Sequence, residues 1–160
     1  LQGYTQGADD YIVKPCNEDV LLLKIQNILQ TRRQLQARFT VESKDLEDIT
    51  SNSVDNTFLR NFMTHIHEHY SESKLSVEDI GDTIGISRSN MYRKCVALTG
   101  KTPVDILQEV RIQNSIHLLK QTDLTISEIA YKVGYNDPRY FSNRFKKMTG
   151  VSPSEMREKQ

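Results

Sequence analysis

The sequence predicts an all-α protein in which two helix-turn-helix lobes are joined by one long linker helix. Two observations predict this fold. From residue 54 onwards, apolar residues recur three or four positions apart, which is the period of an amphipathic helix. In addition, the stretch 76–100 is repeated at 125–150, with the same succession of cap, apolar positions, glycine and second helix. A repeat of this kind indicates one supersecondary unit that is used twice.

The second unit shows where its two helices begin and end. Thr125 and Glu128 have the spacing of a capping box, and apolar residues follow at helical spacing. Gly134 ends the first helix at a position where a left-handed backbone is expected. Asp137 and Pro138 then supply the cap and the first-turn proline of the next helix.

The first unit follows the same plan. Gly85 matches Gly134 at an offset of 49 residues, and Met91 matches Phe141 at an offset of 50, so the second unit has one extra residue in its turn. Ser87 is the expected cap of the second helix of the first unit. Residues 103–121, between the units, form the expected linker helix, which is apolar on several sides and should therefore contact both lobes.

The second helix of each unit has an apolar face and a polar face. In the second unit the apolar stripe consists of Phe141, Phe145 and Met148. The opposite face carries Arg139, Ser142, Asn143 and Lys146. In the first unit the outward face carries Ser89, Tyr92, Arg93 and Val96. Arginine can bind guanine, asparagine can bind adenine and lysine can reach phosphate, so both helices suit the major groove of double-stranded DNA.

The charge distribution supports a nucleic-acid partner although the formal net charge is zero. No acidic residue lies between residues 83 and 104, or between residues 138 and 154, and both windows contain four cations. These windows fall on the same element of the repeat, which favours a basic interface over two ordinary solvated faces. The cations expected to contact phosphate are Arg88, Lys94, Arg144, Lys146 and Lys147.

Residues 54–160 resemble the AraC-type (AraC/XylS) helix-turn-helix DNA-binding domain. The resemblance rests above all on IAYKVGYNDPRYFSNRFKKMTGVSPSEMR, which begins at Ile129. It implies about seven helices and places base contacts at Ser89, Tyr92 and Arg93 in the first lobe and at Pro138, Arg139, Ser142 and Asn143 in the second. The sequence departs from the family pattern at Cys95, where Phe is common, and at Ser115, where Ala is common.

The linker helix carries Arg111, which resembles an arginine that the family has at this place. Two roles are open for it: an internal salt bridge, which we favour, and a contact with DNA.

Residues 1–15 resemble the end of a response-regulator receiver domain, through GADDYIVKP, with residues 11–13 as its last strand. The resemblance implies that Lys14 contacts the phosphorylated aspartate, which would lie upstream of residue 1. We therefore divide the chain into a receiver remnant (1–39), a polar linker (40–53) and the DNA-binding domain (54–160). The remnant ends in a helix over residues 17–39, whose first half would cover the sheet of a whole receiver. In this chain its apolar face would pair with a second chain, and the alternatives are disorder or crystal packing.

These features predict the output region of a two-component transcription regulator, with a hybrid sensor kinase as one form of the intact protein. We expect a cytoplasmic protein that binds double-stranded DNA, needs no cofactor or metal and makes no contact with a membrane. The intact protein is expected to form a homodimer. RNA polymerase is a further candidate partner. His65 and His69, four residues apart, could bind a metal but lack a third ligand. The alternatives are a helical protein–protein interaction module and, with no catalytic motif to support it, an enzyme.

Overall fold

The computed structural model describes residues 18–39 and 53–158. The predicted strand, Lys14 and nearly all of the polar linker lie outside the described residues. Within the described residues the chain is entirely helical, as predicted, and the seven helices from residue 53 onwards agree with the number that the resemblance implies. The helices are α1 (Glu18–Arg38), α2 (Ser53–His69), α3 (Val77–Ile84), α4 (Arg88–Thr99), α5 (Pro103–Gln121), α6 (Ile126–Lys132), α7 (Pro138–Thr149) and α8 (Pro153–Glu158).

The helix caps expected in the two repeated units are formed. Ser76 with Asp79 and Thr125 with Glu128 make complete capping boxes at the starts of α3 and α6. Ser87 caps α4 by accepting a hydrogen bond from the backbone N–H of residue 90. Each cap satisfies an N–H group that the first turn of a helix leaves without a partner, so helix boundaries follow from local sequence here.

Within the described residues, two separate hydrophobic cores form the two lobes. The first core is built from α2, α3, α4 and the first half of α5, and it includes the fully buried Phe62, Ile80 and Met91. The second core is built from the second half of α5 together with α6 and α7, and it includes the fully buried Phe141 and Phe145. Each lobe therefore buries its own apolar faces.

The linker helix α5 belongs to both cores. Its first half contributes Ile106, Leu107 and Val110 to the first core, and its second half contributes Ile112 and Leu119 to the second. Nineteen residues at about 1.5 Å each give a helix about 28 Å long. One continuous helix thus fixes the distance between the lobes.

One predicted core residue is exposed. Met148 stands at the third position of the apolar stripe of α7 but is 39% exposed, so its assignment to the core was wrong. It lies in the last turn of α7, and the side chain that packs against the second core from beyond this helix is Met156 of α8. The core is closed by the following helix and not by the end of α7.

The first helix packs against the first lobe by its C-terminal half. Leu35 and Phe39 are buried in the first core, and the side-chain amide of Gln36 donates hydrogen bonds to the carbonyls of Val96 and Ala97 at 3.2 and 3.1 Å. The N-terminal half of α1 leaves five apolar side chains exposed: Val20, Leu22, Leu23, Ile25 and Leu29.

Candidate nucleic-acid interface

The orientation of α7 is fixed at its start and along its buried side. Asp137 caps the helix, and its carboxylate accepts a hydrogen bond of 2.8 Å from the backbone N–H of Arg139. Phe141 and Phe145 are fully buried and contact each other edge to face, with ring centroids 5.7 Å apart. With one face anchored in this way, the opposite face of α7 must point to solvent.

That opposite face carries the polar residues predicted to bind DNA. Arg139, Asn143, Lys146 and Lys147 are exposed, whereas Ser142 and Arg144 are half-buried. The hydroxyl of Ser142 donates a 2.9 Å hydrogen bond to the carbonyl of Pro138, which leaves its lone pairs to accept from a base. Arg144 lies at the edge of the face; within the described residues, its buried Nε has no hydrogen-bond partner.

Tyr140 is a residue of this face that the sequence interpretation missed. Its side chain is 53% exposed, and its ring lies 6.0 Å from the buried ring of Tyr135. It precedes Asn143 by three positions, so the two side chains are neighbours on the helix surface. The spacing to Asn143 is the sequence signal that identifies Tyr140 as part of this face.

The first recognition helix, α4, is built in the same way. Met91 and Cys95 are fully buried, Ser89 and Arg93 are exposed, and Tyr92 is half-buried. A terminal nitrogen of Arg93 donates to the side-chain oxygen of Asn90 at 3.2 Å. This hydrogen bond holds the guanidinium group near the outward face without burying it.

Arg88, at the first position of α4, forms an ion pair with Glu78 of α3 at 2.6 Å. Both side chains are more than half exposed, and exposed pairs of this kind stabilise proteins by only about 0–1 kcal/mol. The guanidinium also lies 5.7 Å from the ring centre of Tyr92. A phosphate group could therefore replace Glu78 at little cost.

Lys94 occupies a different environment. Its ammonium group is 2.6 Å from the carboxylate of Asp55 on α2, and the two side chains are only 17% and 12% exposed. It also lies 5.6 Å from the ring centre of Phe58. Lys94 is next to the buried Cys95, on the flank of α4 that faces α2, so the geometry gives it a structural role and we do not retain it as a phosphate contact.

Arg111, for which two roles were open, lies inside the protein. It is 5% exposed and donates hydrogen bonds of 2.8 Å to the backbone carbonyls of Tyr70 and Glu72. The internal role is correct, but the partners are backbone carbonyls where a salt bridge was expected.

The two histidines of α2 are engaged with each other and with a carboxylate. The rings of His65 and His69 are 4.5 Å apart, and Nδ1 of His69 is 2.6 Å from a carboxylate oxygen of Glu72. Burial, followed by the nearby His69, lowers the pKa of His65. Within residues 18–39 and 53–158, no set of three potential ligands has the arrangement that a metal ion requires.

Comparison with known proteins places this pair of helices in a family. The profile of a family described as "Helix-turn-helix domain" matches residues 80–159, which is half of the chain. Among solved structures, the C-terminal domain of AraT, a response regulator from Geobacillus stearothermophilus, has a TM-score of 0.62 at 31% identity, over 68% of this chain and 87% of that one. The chain belongs to the AraC-type helix-turn-helix family.

Two further relatives are a DNA-binding domain and a histidine kinase. The DNA-binding domain of AdpA, solved in complex with a target DNA, has a TM-score of 0.59 at 27% identity, over 62% of this chain and 89% of that one. Histidine kinase P4 of Formosa agariphila is 33% identical over 97% of this chain and 11% of its own length. The AraC-type domain of this chain serves DNA-binding transcription regulation.

The chain spans only part of the proteins it matches: 11% of the Formosa kinase and 36% to 52% of relatives described as transcriptional activators. None of the helices in the described ranges is both long and apolar enough to cross a membrane.

Proposed function

We propose that this AraC-type domain binds one specific operator in double-stranded DNA by placing α4 and α7 in adjacent major grooves. The observation that carries the proposal is the pair of helices with fully buried apolar backs and exposed polar fronts, both attached to the single helix α5. The length of α5, about 28 Å, is comparable with the roughly 34 Å of one turn of DNA.

Base readout is assigned to the exposed fronts of the two helices. Arg93 and Arg139 have the bidentate donors that suit guanine, and Asn143 has the amide that suits adenine. The remaining base contacts are assigned to Ser89, Tyr92 and Ser142, with Tyr140 added from its exposure beside Asn143. Arg88, Arg144, Lys146 and Lys147 are assigned to phosphates.

A salt titration of DNA binding tests the proposal against the alternative of a protein–protein interaction module. Four phosphate contacts give a slope of log K against log salt of about −3 to −4. Replacing Lys146 or Lys147 by Ala should make the slope shallower by about 1. The matched control is Lys120→Ala, because Lys120 is exposed near the end of α5, outside both recognition helices. If the chain selects no DNA site and its binding to DNA does not depend on salt, the alternative of a protein–protein interaction module is correct.

We propose further that the chain is the output region of a two-component regulator, with the domain limits given above. Support comes from the similarity to the Formosa kinase along nearly the whole chain and from the response regulator AraT. In this proposal the intact protein is a cytoplasmic hybrid sensor kinase, Lys14 belongs to its receiver domain, and RNA polymerase is contacted at the promoter. Phosphotransfer from the kinase part of the intact protein to its receiver, followed with radiolabelled ATP, tests this assignment.

The homodimer is also assigned to the intact protein. Within the 160-residue chain itself, the exposed apolar part of α1 is the candidate surface for pairing with a second chain, since Leu22, Ile25 and Leu29 lie at helical spacing on it. Sedimentation of this chain tests the surface, because Ile25→Asp should convert dimer to monomer. An unchanged mass would place the dimer contact elsewhere.

A further inference from the structure

Three separate elements meet at one backbone carbonyl, that of Tyr70, just after the end of α2. Nε of Arg111, on the linker helix, donates to this oxygen at 2.8 Å. Gly134, in the turn of the second helix-turn-helix, lies so close that a Cβ added to it would be 2.4 Å from the same oxygen. The carbonyl belongs to the first lobe, Arg111 to the connecting helix and Gly134 to the second lobe.

Arg111 is chemically suited to hold this junction. Its planar guanidinium makes two hydrogen bonds at once, to the carbonyls of Tyr70 and Glu72, and lies 5.6 Å from the ring centre of Tyr135. Carbonyls near a helix C-terminus lack partners within the helix, and a cation there is favoured by the helix dipole. Burial lowers the pKa of Arg111, yet arginine stays protonated in proteins, so the positive charge is retained. Lysine cannot reproduce a flat two-donor contact.

The turn of the second lobe is attached to the same place from its other side. Tyr135, next to Gly134, is buried, and its hydroxyl donates a hydrogen bond to the side-chain oxygen of Gln108 on α5. The ring of Tyr70 packs against both hydrophobic cores. The contacts therefore join the lobes to each other directly, in addition to the covalent connection through α5.

We infer that this junction, with Arg111 at its centre, fixes the relative position of the two recognition helices and so determines the half-site spacing that the protein accepts. The inference rests on the proposed function. Two lobes held rigidly present the second helix to its groove at a high effective concentration once the first is bound. Adding one base pair moves the half-sites by about 3.4 Å and about 34°, which a rigid pair of lobes does not follow. Arg111 is a positioning residue and makes no contact with DNA itself.

The first test measures the free protein, without DNA. Spin labels at Asp82→Cys and Lys132→Cys report the distance between α3 and α6, one in each lobe, in a chain whose native cysteines are replaced by alanine. Both positions are exposed. We expect a narrow distance distribution in the parent chain and a broader or shifted one in Arg111→Lys. An identical narrow distribution in both would overturn the inference, whatever the outcome for DNA binding.

The second test measures DNA binding with an operator selected from random sequences by the wild-type chain. Arg111→Lys should bind this operator about tenfold more weakly and should lose most of the wild-type preference over operators lengthened or shortened by one base pair. Binding to a duplex with only one half-site should be unchanged. A variant that keeps its operator affinity and its spacing preference, or that loses half-site binding equally, would overturn the inference. If the wild type selects no operator, the proposed function fails instead.

Two further variants keep these tests specific. Arg157→Lys is the matched control, because Arg157 also donates to a backbone carbonyl, that of Leu124 at 2.6 Å, but both of these residues follow the linker helix. It should leave the distance distribution and the spacing preference unchanged.

If Arg111→Lys does not fold, Tyr135→Phe replaces it, since this change removes only the hydroxyl that contacts Gln108. Tyr135→Phe should broaden the distribution to a smaller degree, and no broadening would count against the junction.

Discussion

Replacing Gly134 by alanine should destabilise the protein much more than the same change at Gly85, its equivalent in the first unit. Both glycines have a positive φ, 90° at Gly134 and 72° at Gly85. Their surroundings differ, because a Cβ on Gly85 would meet nothing within 4 Å, whereas a Cβ on Gly134 would lie 2.4 Å from the carbonyl oxygen of Tyr70 and 3.0 Å from Nε of Arg111. The repeat thus contains its own control.

The magnitude follows from these two environments. A left-handed conformation costs an alanine about 1–2 kcal/mol, and this term applies to both variants. At Gly134 the carbonyl of Tyr70 must also move away from Arg111, and losing a hydrogen bond to a charged group costs about 1.5–3 kcal/mol. We therefore expect a loss in the free energy of unfolding of about 1–2 kcal/mol for Gly85→Ala and about 2.5–5 kcal/mol for Gly134→Ala.

Urea unfolding followed by circular dichroism gives both free energies, and the difference between the variants is the quantity of interest. Gly134→Ala should also lose its spacing preference for operators if it remains folded, as described for Arg111→Lys. Equal destabilisation of the two variants would refute the reasoning, because it would mean that the close approach to Tyr70 contributes nothing.

Arg93→Ala and Asn143→Ala should each weaken operator binding by about 1–3 kcal/mol while leaving the melting temperature unchanged. If one of these variants binds the operator normally, the residue replaced in it does not contact a base. Lys94→Ala should show the reverse pattern, because Lys94 faces Asp55. Its free energy of unfolding should fall by about 1–3 kcal/mol, while the slope of log K for DNA binding against log salt stays unchanged. A shallower slope would show that Lys94 contacts a phosphate. Burial raises the pKa of Cys95 to about 12 from an ordinary 9.0, so the folded state keeps this proton where the unfolded state loses it. The contribution of this thiol to stability should therefore be full below about pH 8 and fall by about 1.4 kcal/mol between pH 8 and pH 10, and Cys95→Ala should remove this part of the decline; the same decline with and without the thiol would contradict the assignment.

The parts of the fold that could be predicted from sequence depend on local signals. Capping residues act on N–H groups three positions away, so Ser76 and Thr125 identify the starts of α3 and α6 without any knowledge of tertiary structure. The apolar spacing of α4 and α7 decides which face is buried, and therefore also which face is free to read DNA. The assignments of Arg93 and Asn143 to exposed positions follow from the same periodicity.

The parts that could not be predicted depend on residues that are distant in sequence. Lys94 and Asp55 are 39 positions apart, and Arg111 and Tyr70 are 41 positions apart, so neither pairing has a local signal. A basic residue on a recognition helix is read as a phosphate contact unless its buried partner is known. Met148 was misplaced for a related reason, because the periodicity of α7 does not reveal that α8 closes the core.

These long-range contacts make the two recognition helices unequal, although the repeat presents them as equivalent. On α4, Arg88 is paired with Glu78 and Lys94 with Asp55, so two of its three cations already face a carboxylate. Across the described residues, no ion pair with a carboxylate is found for the four cations of α7. Attraction to phosphate should therefore come mainly from the second lobe, while the first lobe contributes base contacts once the DNA is held. Such a division requires the lobes to be fixed relative to each other, which is the role that the junction around Arg111 would perform.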